Sequence, residues 1–248
     1  FGGRSSNFNN ITVDGAAFNN SFGLSGAVGG QTNAQPISLD AIEQLQVNIA
    51  PFDIRQSGFL GSGINAVTKS GTNELTGSFF YEYMDDSLSG KSGAPGRDKV
   101  DLNDFERTVW GVSLGGAIIQ DKLFFFAAYE KYEGASNFTR GPADSNAGTP
   151  VAGVTQSQLD EIAQIARDVY GYEVGAPISS VPVEDKKYLL KLDWYINDQH
   201  RTAFTYNYND GGSVRESDSS SNQYEFSDHY YARSAEFSSY VGQLFYDW

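Results

Sequence analysis

The sequence predicts an all-β dominated chain in two parts. A small domain of short strands with one small helix fills residues 1–72, and antiparallel strands of a large transmembrane β-barrel fill residues 73–248. Three observations carry this. No stretch approaches the ~18 apolar residues of a membrane-spanning helix, and the longest apolar run is LFFFAAY, Leu123–Tyr129. Hydrocarbon offers backbone N–H and C=O groups no partner, so such a chain can cross a membrane only as a closed sheet. Second, about six later segments alternate one apolar or aromatic face with one hydrophilic face, at about the length of a tilted membrane strand. Third, their connections alternate short and long. Gln120-Asp121-Lys122 and Asn197-Asp198-Gln199 are tight turns, while 86–104, 134–185 and 211–230 are long links. That rhythm matches short periplasmic turns and long extracellular loops.

Composition agrees. Hydrophobic residues make up 40% and aromatics 14%, with 15 Tyr, 17 Phe and 27 Gly in 248 residues, so the chain is rich in turns and aromatic faces. The net charge of −14 excludes nucleic acid as a partner, because phosphates would be repelled. The absence of Cys removes disulfides, thiolate metal sites and Cys nucleophiles. Residues 1–72 carry Arg4, Arg55 and Lys69 against Asp14, Asp40, Glu43 and Asp53, a net of −1, which leaves −13 of the −14 for the rest. The first residue is Phe1 with no targeting segment behind it, and YVGQLFYDW ends inside a strand pattern, so a piece of a longer chain is expected.

In order, Ile11–Asp14 reads as a short strand closed by the turn signal Asp14-Gly15. Residues 16–36 are Ala-, Asn-, Ser- and Gly-rich, a long loop. Ser38 is a candidate N-cap for one or two helical turns over Leu39–Glu43, with Asp40 near the positive end of the dipole. Glu43–Ile49 alternates Leu45, Val47 and Ile49 against Gln44, Gln46 and Asn48, a half-buried strand. Pro51 ends it, and a second loop runs to Gly63 before a short strand through Ile64, Ala66 and Thr68.

The barrel segments follow. Leu75–Asp85 sets Phe79, Tyr81 and Tyr83 opposite Ser78, Phe80 and Glu82. Phe105–Ile119 sets Trp110, Val112 and Leu114 opposite Val109, Gly111 and Ser113, and Lys122–Tyr132 comes next. Lys186–Ile196 sets Tyr188, Leu190, Leu192 and Trp194 opposite Leu189, Lys191, Asp193 and Tyr195. His200–Asp210 sets Phe204, Tyr206 and Tyr208 opposite Arg201, Ala203, Asn207 and Asn209. Tyr231–Trp248 sets Tyr240, Leu244 and Tyr246 opposite Val241, Gln243 and Phe245. A soluble sandwich would show the same alternation; long links all at one end and aromatics near strand ends favour the barrel. Inside one long link, Thr155-Gln-Ser-Gln158 has the form of a capping box. Leu159, Ile162, Ala163, Ala166 and Val169 follow at helical spacing, and Gly171 closes the segment. This amphipathic helix either braces the loop or touches a ligand.

Several motifs in sequence order carry a resemblance. ITVDG (Ile11–Gly15), ISLDAIEQLQV (Ile37–Val47) and GSGINAVTKSGTNELTGSFFYEY (Gly61–Tyr83) resemble the plug-to-barrel seam of TonB-dependent outer-membrane receptors. Within them Ile42-Glu43, Ile64-Asn65 and Thr68-Lys69 match, and SLDAIEQLQVNIAPFDIRQSGF is similar to the Oar-like branch. The usual Gly-Pro after the plug strand is Ala50-Pro51 here. The resemblance implies the second half of a plug followed by the first strands of a roughly 22-stranded barrel. It implies location in the outer membrane of a Gram-negative bacterium and import driven by TonB through an N-terminal box not included here. The remaining partners would be outer-membrane lipid and an extracellular ligand, peptide or glycan. A passive or structural barrel and a surface adhesin built as a sandwich are the alternatives.

By the resemblance, two plug loops point toward the extracellular cavity. Phe18, Asn19, Asn20 and Phe22 lie in the first, and Phe52, Asp53, Arg55 and Phe59 in the second. Their rings and amides could stack on and hydrogen-bond a ligand, or the rings could pack plug against wall. Arg4 and Lys69 are candidates for plug–barrel ion pairs with Glu82 or Asp193. No cofactor, metal or catalytic residue is expected. Gly61-Ser-Gly63-Ile-Asn-Ala66 imitates a dinucleotide fingerprint but leads into a strand pattern. His200 and His229, the two histidines, fall in a turn and a loop, so neither a triad nor a metal set can be built. The acidic stretch Glu216, Asp218, Glu225 and Asp228 could take Ca²⁺ or simply be solvated.

Overall fold

Short strands joined by tight turns build a small sheet, and long antiparallel hairpins build a large one. The computed structural model describes residues 5–21, 23, 25–32, 34–49, 61–88, 105–137, 140–145, 149–176, 180–215 and 224–246. In the small sheet, β1 (Asn10–Val13) turns into β2 (Ala16–Ala17), and β3 (Ile42–Ile49) pairs with β4 (Ser62–Thr68). The spatial order is β2-β1-β4-β3, with β1 and β4 parallel and the other pairs antiparallel. Asp14 and Gly15 both take positive φ, 47° and 82°, as a two-residue hairpin turn of this hand requires. The turn signal read from Asp14-Gly15 therefore becomes a β-hairpin, and its tip carries a carboxylate.

The large sheet comprises β5 (Thr76–Asp85), β6 (Glu106–Ile119), β7 (Leu123–Asn137), β10 (Ser180–Asn197), β11 (His200–Arg215) and β12 (Tyr231–Tyr246). Its order, β12-β11-β10-β7-β6-β5, is an antiparallel meander. Between β7 and β10, β8 (Arg140–Pro142) and β9 (Thr149–Val151) pair in parallel, and the helix α1 (Gln156–Tyr170) follows. α1 has the capping box expected at Thr155 and Gln158 and ends at Gly171 in the left-handed conformation. Leu159 anchors it, while Ile162, Ile165 and Val169 remain exposed.

The faces of the large sheet divide as the alternation predicts. Leu190, Phe204 and Leu244 are 52%, 45% and 73% exposed on one face. Trp110, Tyr129, Tyr188 and Tyr208 form a row across the same face, with ring centroids 5.0, 4.9 and 5.7 Å apart in turn. Trp194 and Tyr246 sit near the opposite ends of their strands. Along β10, Tyr188 and Trp194 are about 20 Å apart at the strand rise of ~3.4 Å per residue. The result is a leucine- and phenylalanine-filled band bordered by aromatic rows, as at a membrane surface. The other face carries Phe126, Ala128 and Leu189, and it packs on Val13, Phe18, Ile37, Ala41 and Ala66 of the small domain. No second sheet covers the aromatic face among the described residues, so the sandwich alternative fails.

Four local expectations change. Ser38 makes no side-chain cap bond to the 3₁₀ turn Leu39–Ala41 that it precedes, because its hydroxyl is drawn to Glu130 on the wall at 2.5 Å. The half-buried strand expected from Glu43 is β3, but Leu45, Val47 and Ile49 are all exposed, since β3 is the edge of the small sheet. β7, β10 and β11 continue into the segments 134–137, 180–185 and 211–215 expected to be loop. Glycines and charges there break the alternation, yet both cross-strand ladders persist through Ser213 and Gly134. The loop of 16–36 also holds β2, the bridge Asn19–Ala27 and a 3₁₀ turn at Gly30–Thr32.

Candidate functional site

The functional geometry lies where the small sheet meets the hydrophilic face of the large one, at three polar fastenings. The hairpin tip supplies the first. Asp14 accepts hydrogen bonds from the Thr68 backbone N–H at 2.9 Å, the Thr68 hydroxyl at 2.6 Å and the Thr205 hydroxyl of β11 at 3.2 Å. Lys191 of β10 lies 3.8 Å from the same carboxylate and donates to the Thr68 carbonyl and hydroxyl at 3.1 and 3.0 Å. Gln243 of β12 donates to the Asp14 carbonyl at 3.0 Å. One hairpin tip is thereby tied to three consecutive wall strands.

The second fastening is a buried trio. Lys187 on β10 bridges Glu130 on β7, at 2.7 Å, and Asp185 two residues before it. Ser38 donates to Glu130 from the small domain, and Asn209 donates both to Asp185, at 2.8 Å, and to the Gln35 carbonyl, at 3.0 Å. Asn207 reaches the Pro36 carbonyl at 3.1 Å. Segment 35–38 is thus held through its backbone and one hydroxyl, which suits a part that has few apolar residues to bury.

The third fastening is Asp40, which accepts from Ser78 of β5 at 2.5 Å and pairs with Lys69 at 3.3 Å. Burial pushes its carboxyl up, but bonds from Ser78 and Ser113 and the Lys69 charge outweigh this and hold it below the ordinary value of 3.8. A carboxyl with a lowered pKa in the docked state stabilises docking above its ordinary pKa, and that contribution is lost as pH falls through the lowered value. The protection of amides 39–41, measured against their intrinsic exchange rate at each pH, should therefore hold from neutral pH down to about 5 and fall below about 4. Asp40→Asn should remove this acid step; an identical acid profile in the variant would refute the role of Asp40.

The expected site residues separate. Phe18 is 1% exposed and meets Phe237 of β12 edge-on at 5.0 Å, so its ring packs the small domain against the wall. Asn19 is spent on local bracing, accepting from Ile11 N–H at 3.0 Å and donating to the Asn9 carbonyl at 2.6 Å. Asn20 donates to Gln31 at 3.0 Å. Lys69 pairs with Asp40 of its own domain rather than with Glu82 or Asp193. Glu82 is exposed on β5, and Asp193 is buried on β10 with its Oδ2 lacking a hydrogen-bond partner among the described residues. Arg4, Phe22, Phe52, Asp53, Arg55 and Phe59 lie outside the described residues. Among the described residues no cluster of three or more acids or histidines could hold a metal. Asp14, Lys187 and Thr68 were not expected as site residues from sequence. The available signal was a pair of lysines, Lys187 and Lys191, on the hydrophilic side of a strand whose other side is aromatic.

Comparison with known proteins agrees with this geometry. A family model described as an outer membrane beta barrel domain matches residues 67–145. The TonB-dependent transporter Oar of Myxococcus xanthus is 28% identical over 83% of this chain, which spans 18% of that protein's length. The outer membrane transporter YddB of Escherichia coli superposes with a TM-score of 0.52 at 12% identity, over 86% of this chain and 26% of its own. The chain is homologous to a TonB-dependent transporter, is built as a fragment of an outer-membrane β-barrel, and resides in the outer membrane of a Gram-negative bacterium. The proteins it resembles are transporters rather than enzymes.

Proposed function

We propose, from this homology with a TonB-dependent transporter, that residues 1–72 are the second half of a plug and residues 73–248 the first strands of the barrel around it. The whole protein binds a ligand outside, carries out no chemistry on it, and admits it when TonB pulls on the plug. One observation carries the reading: a polar domain with a small apolar core is fastened by Asp14, Ser38 and Asp40 to the hydrophilic face of a sheet whose other face is aromatic. A wide barrel without such a filling would leak solutes, and a filling meant to move is better held by separable polar contacts than by a continuous apolar core. The loops after Gly15 and after Ile49 remain the segments assigned to ligand contact. The net charge of −14 disfavours strongly anionic ligands, which leaves peptides and glycans as the preferred class.

Conductance of the full-length protein in a planar lipid bilayer tests this reading. The intact protein is expected to be closed, and deletion of the plug through residue 72 to open a large, steady pore. A steady pore in the intact protein would establish a passive barrel instead.

A further inference from the structure

Beneath the Asp14 fastening, at the end of the wall that carries the tight Asn197–His200 turn, the two sheets border an open cavity of about 440 Å³. Asp193 and Tyr195 of β10, Arg201 of β11 and Phe245 of β12 line one side, and Glu43 and Ser70 line the other. Asp193 is 8% exposed, and its Oδ2 has no hydrogen-bond partner among the described residues. An unpaired buried carboxylate costs several kcal/mol, so such groups normally have a donor or a cation beside them. Among the described residues, the basic groups near this one are occupied. Lys191 is bound to Thr68 and Asp14. Lys69 is bound to Asp40. The Arg201 guanidinium lies over the Phe245 ring at 4.3 Å and the Tyr195 ring at 5.5 Å.

We propose that this cavity binds an organic cation, a guanidinium or primary ammonium group, with Asp193 as its anionic anchor. With Lys191 neutralising Asp14, the carboxylates of Asp193 and Glu43 outnumber Arg201, the remaining cation among the described lining residues. The volume falls within the range of small-molecule sites and far exceeds a bare ion. A divalent metal would need a set of oxygen ligands that the described residues do not supply. The aromatic lining already holds one guanidinium, that of Arg201, by cation–π attraction. Asp193, two residues before Tyr195 on the same side of β10, is the acceptor for a second. The site stands on this geometry alone. If the proposed transport function also holds, it lies on the inner side of the plug and names a cationic group as part of the solute.

The test uses the purified full-length protein in detergent, with methylguanidinium and methylammonium as probes followed by saturation-transfer NMR. Na⁺, K⁺ and Mg²⁺ serve as competitors at matched ionic strength. Saturable binding is expected, weakened at least about tenfold by Asp193→Asn and unchanged by Asp160→Asn on α1, in the long link between β7 and β10. Glu43→Gln should weaken it by a few-fold, and it carries the test together with the competition arm if the Asp193 variant fails to fold. Absence of saturation, equal binding by wild type and D193N, or displacement by Na⁺ or K⁺ as effective as by methylguanidinium would each overturn the proposal. None of these measurements involves TonB or uptake, so this site and the transport reading can fail separately.

Discussion

Lys187→Met should unseat the small domain from the wall, with a loss of about 3–5 kcal/mol in the stability of the docked state. Lys187 has a side chain only 5% exposed, between Glu130 at 12% and Asp185 at 4%. Removing the cation leaves two carboxylates facing each other with little water. Ser38 and Asn209, which join this trio to segment 35–38, would lose their alignment with it. The barrel should persist, because its ladders do not depend on the trio. The expected signature is therefore faster amide exchange across β4 with slow exchange retained across β10 and β11. Adding Glu130→Gln and Asp185→Asn to Lys187→Met should restore much of the docking, since stranded charge and not lost volume causes the damage. Wild-type exchange in β4 of the single variant would show that the trio does not fasten the plug.

Gly71→Ala should disrupt the seam, where the chain passes from the small sheet to the large one. A Cβ at Gly71 would lie 2.3 Å from the Phe125 carbonyl oxygen and 2.5 Å from that of Gly116. Both are backbone atoms of paired strands, so neither can rotate aside, and the seam itself must shift. Overpacking of this kind costs about 1–3 kcal/mol, and the shift would displace Lys69 and Thr68, and with them the Asp14 fastening. Gly242→Ala is the control: a Cβ there meets nothing within 4 Å, so its effect should stay within about 0.5 kcal/mol. The melting temperature of the folded barrel and trypsin cleavage after Lys69 are the measurements. Equal behaviour of the two variants would show that the backbone at residue 71 has room to move.

The stretch running from Gly61 to Tyr83 shows why parts of the site were hidden. That a Gly-rich polar segment gives way to an aromatic strand is plain in the residues, and Gly71 stands among them. Its partners, the carbonyls of Gly116 and Phe125, are more than forty positions away, and only strand pairing brings them together. Lys191 and Asp193 likewise read as one hydrophilic face of β10. Nothing local indicates that the first is taken by Thr68 and Asp14 while the second is left without a donor. Ser38 shows the converse: its helix-capping role follows from local propensity, and a wall carboxylate overrides it.

By itself, the sequence determined the membrane-strand rhythm, the outward aromatic faces, the capped helix of the long loop and the Asp14-Gly15 turn. Each of these rests on spacing between residues close in the chain, where period and turn chemistry act directly. The tertiary structure alone decided which charges meet between the small domain and the wall, that Phe18 is buried against Phe237, and that Asp193 lines a cavity without a hydrogen-bond partner at Oδ2 among the described residues. Pairings of that kind depend on register and on distance through space, and a buried charge takes whichever partner folding brings within reach.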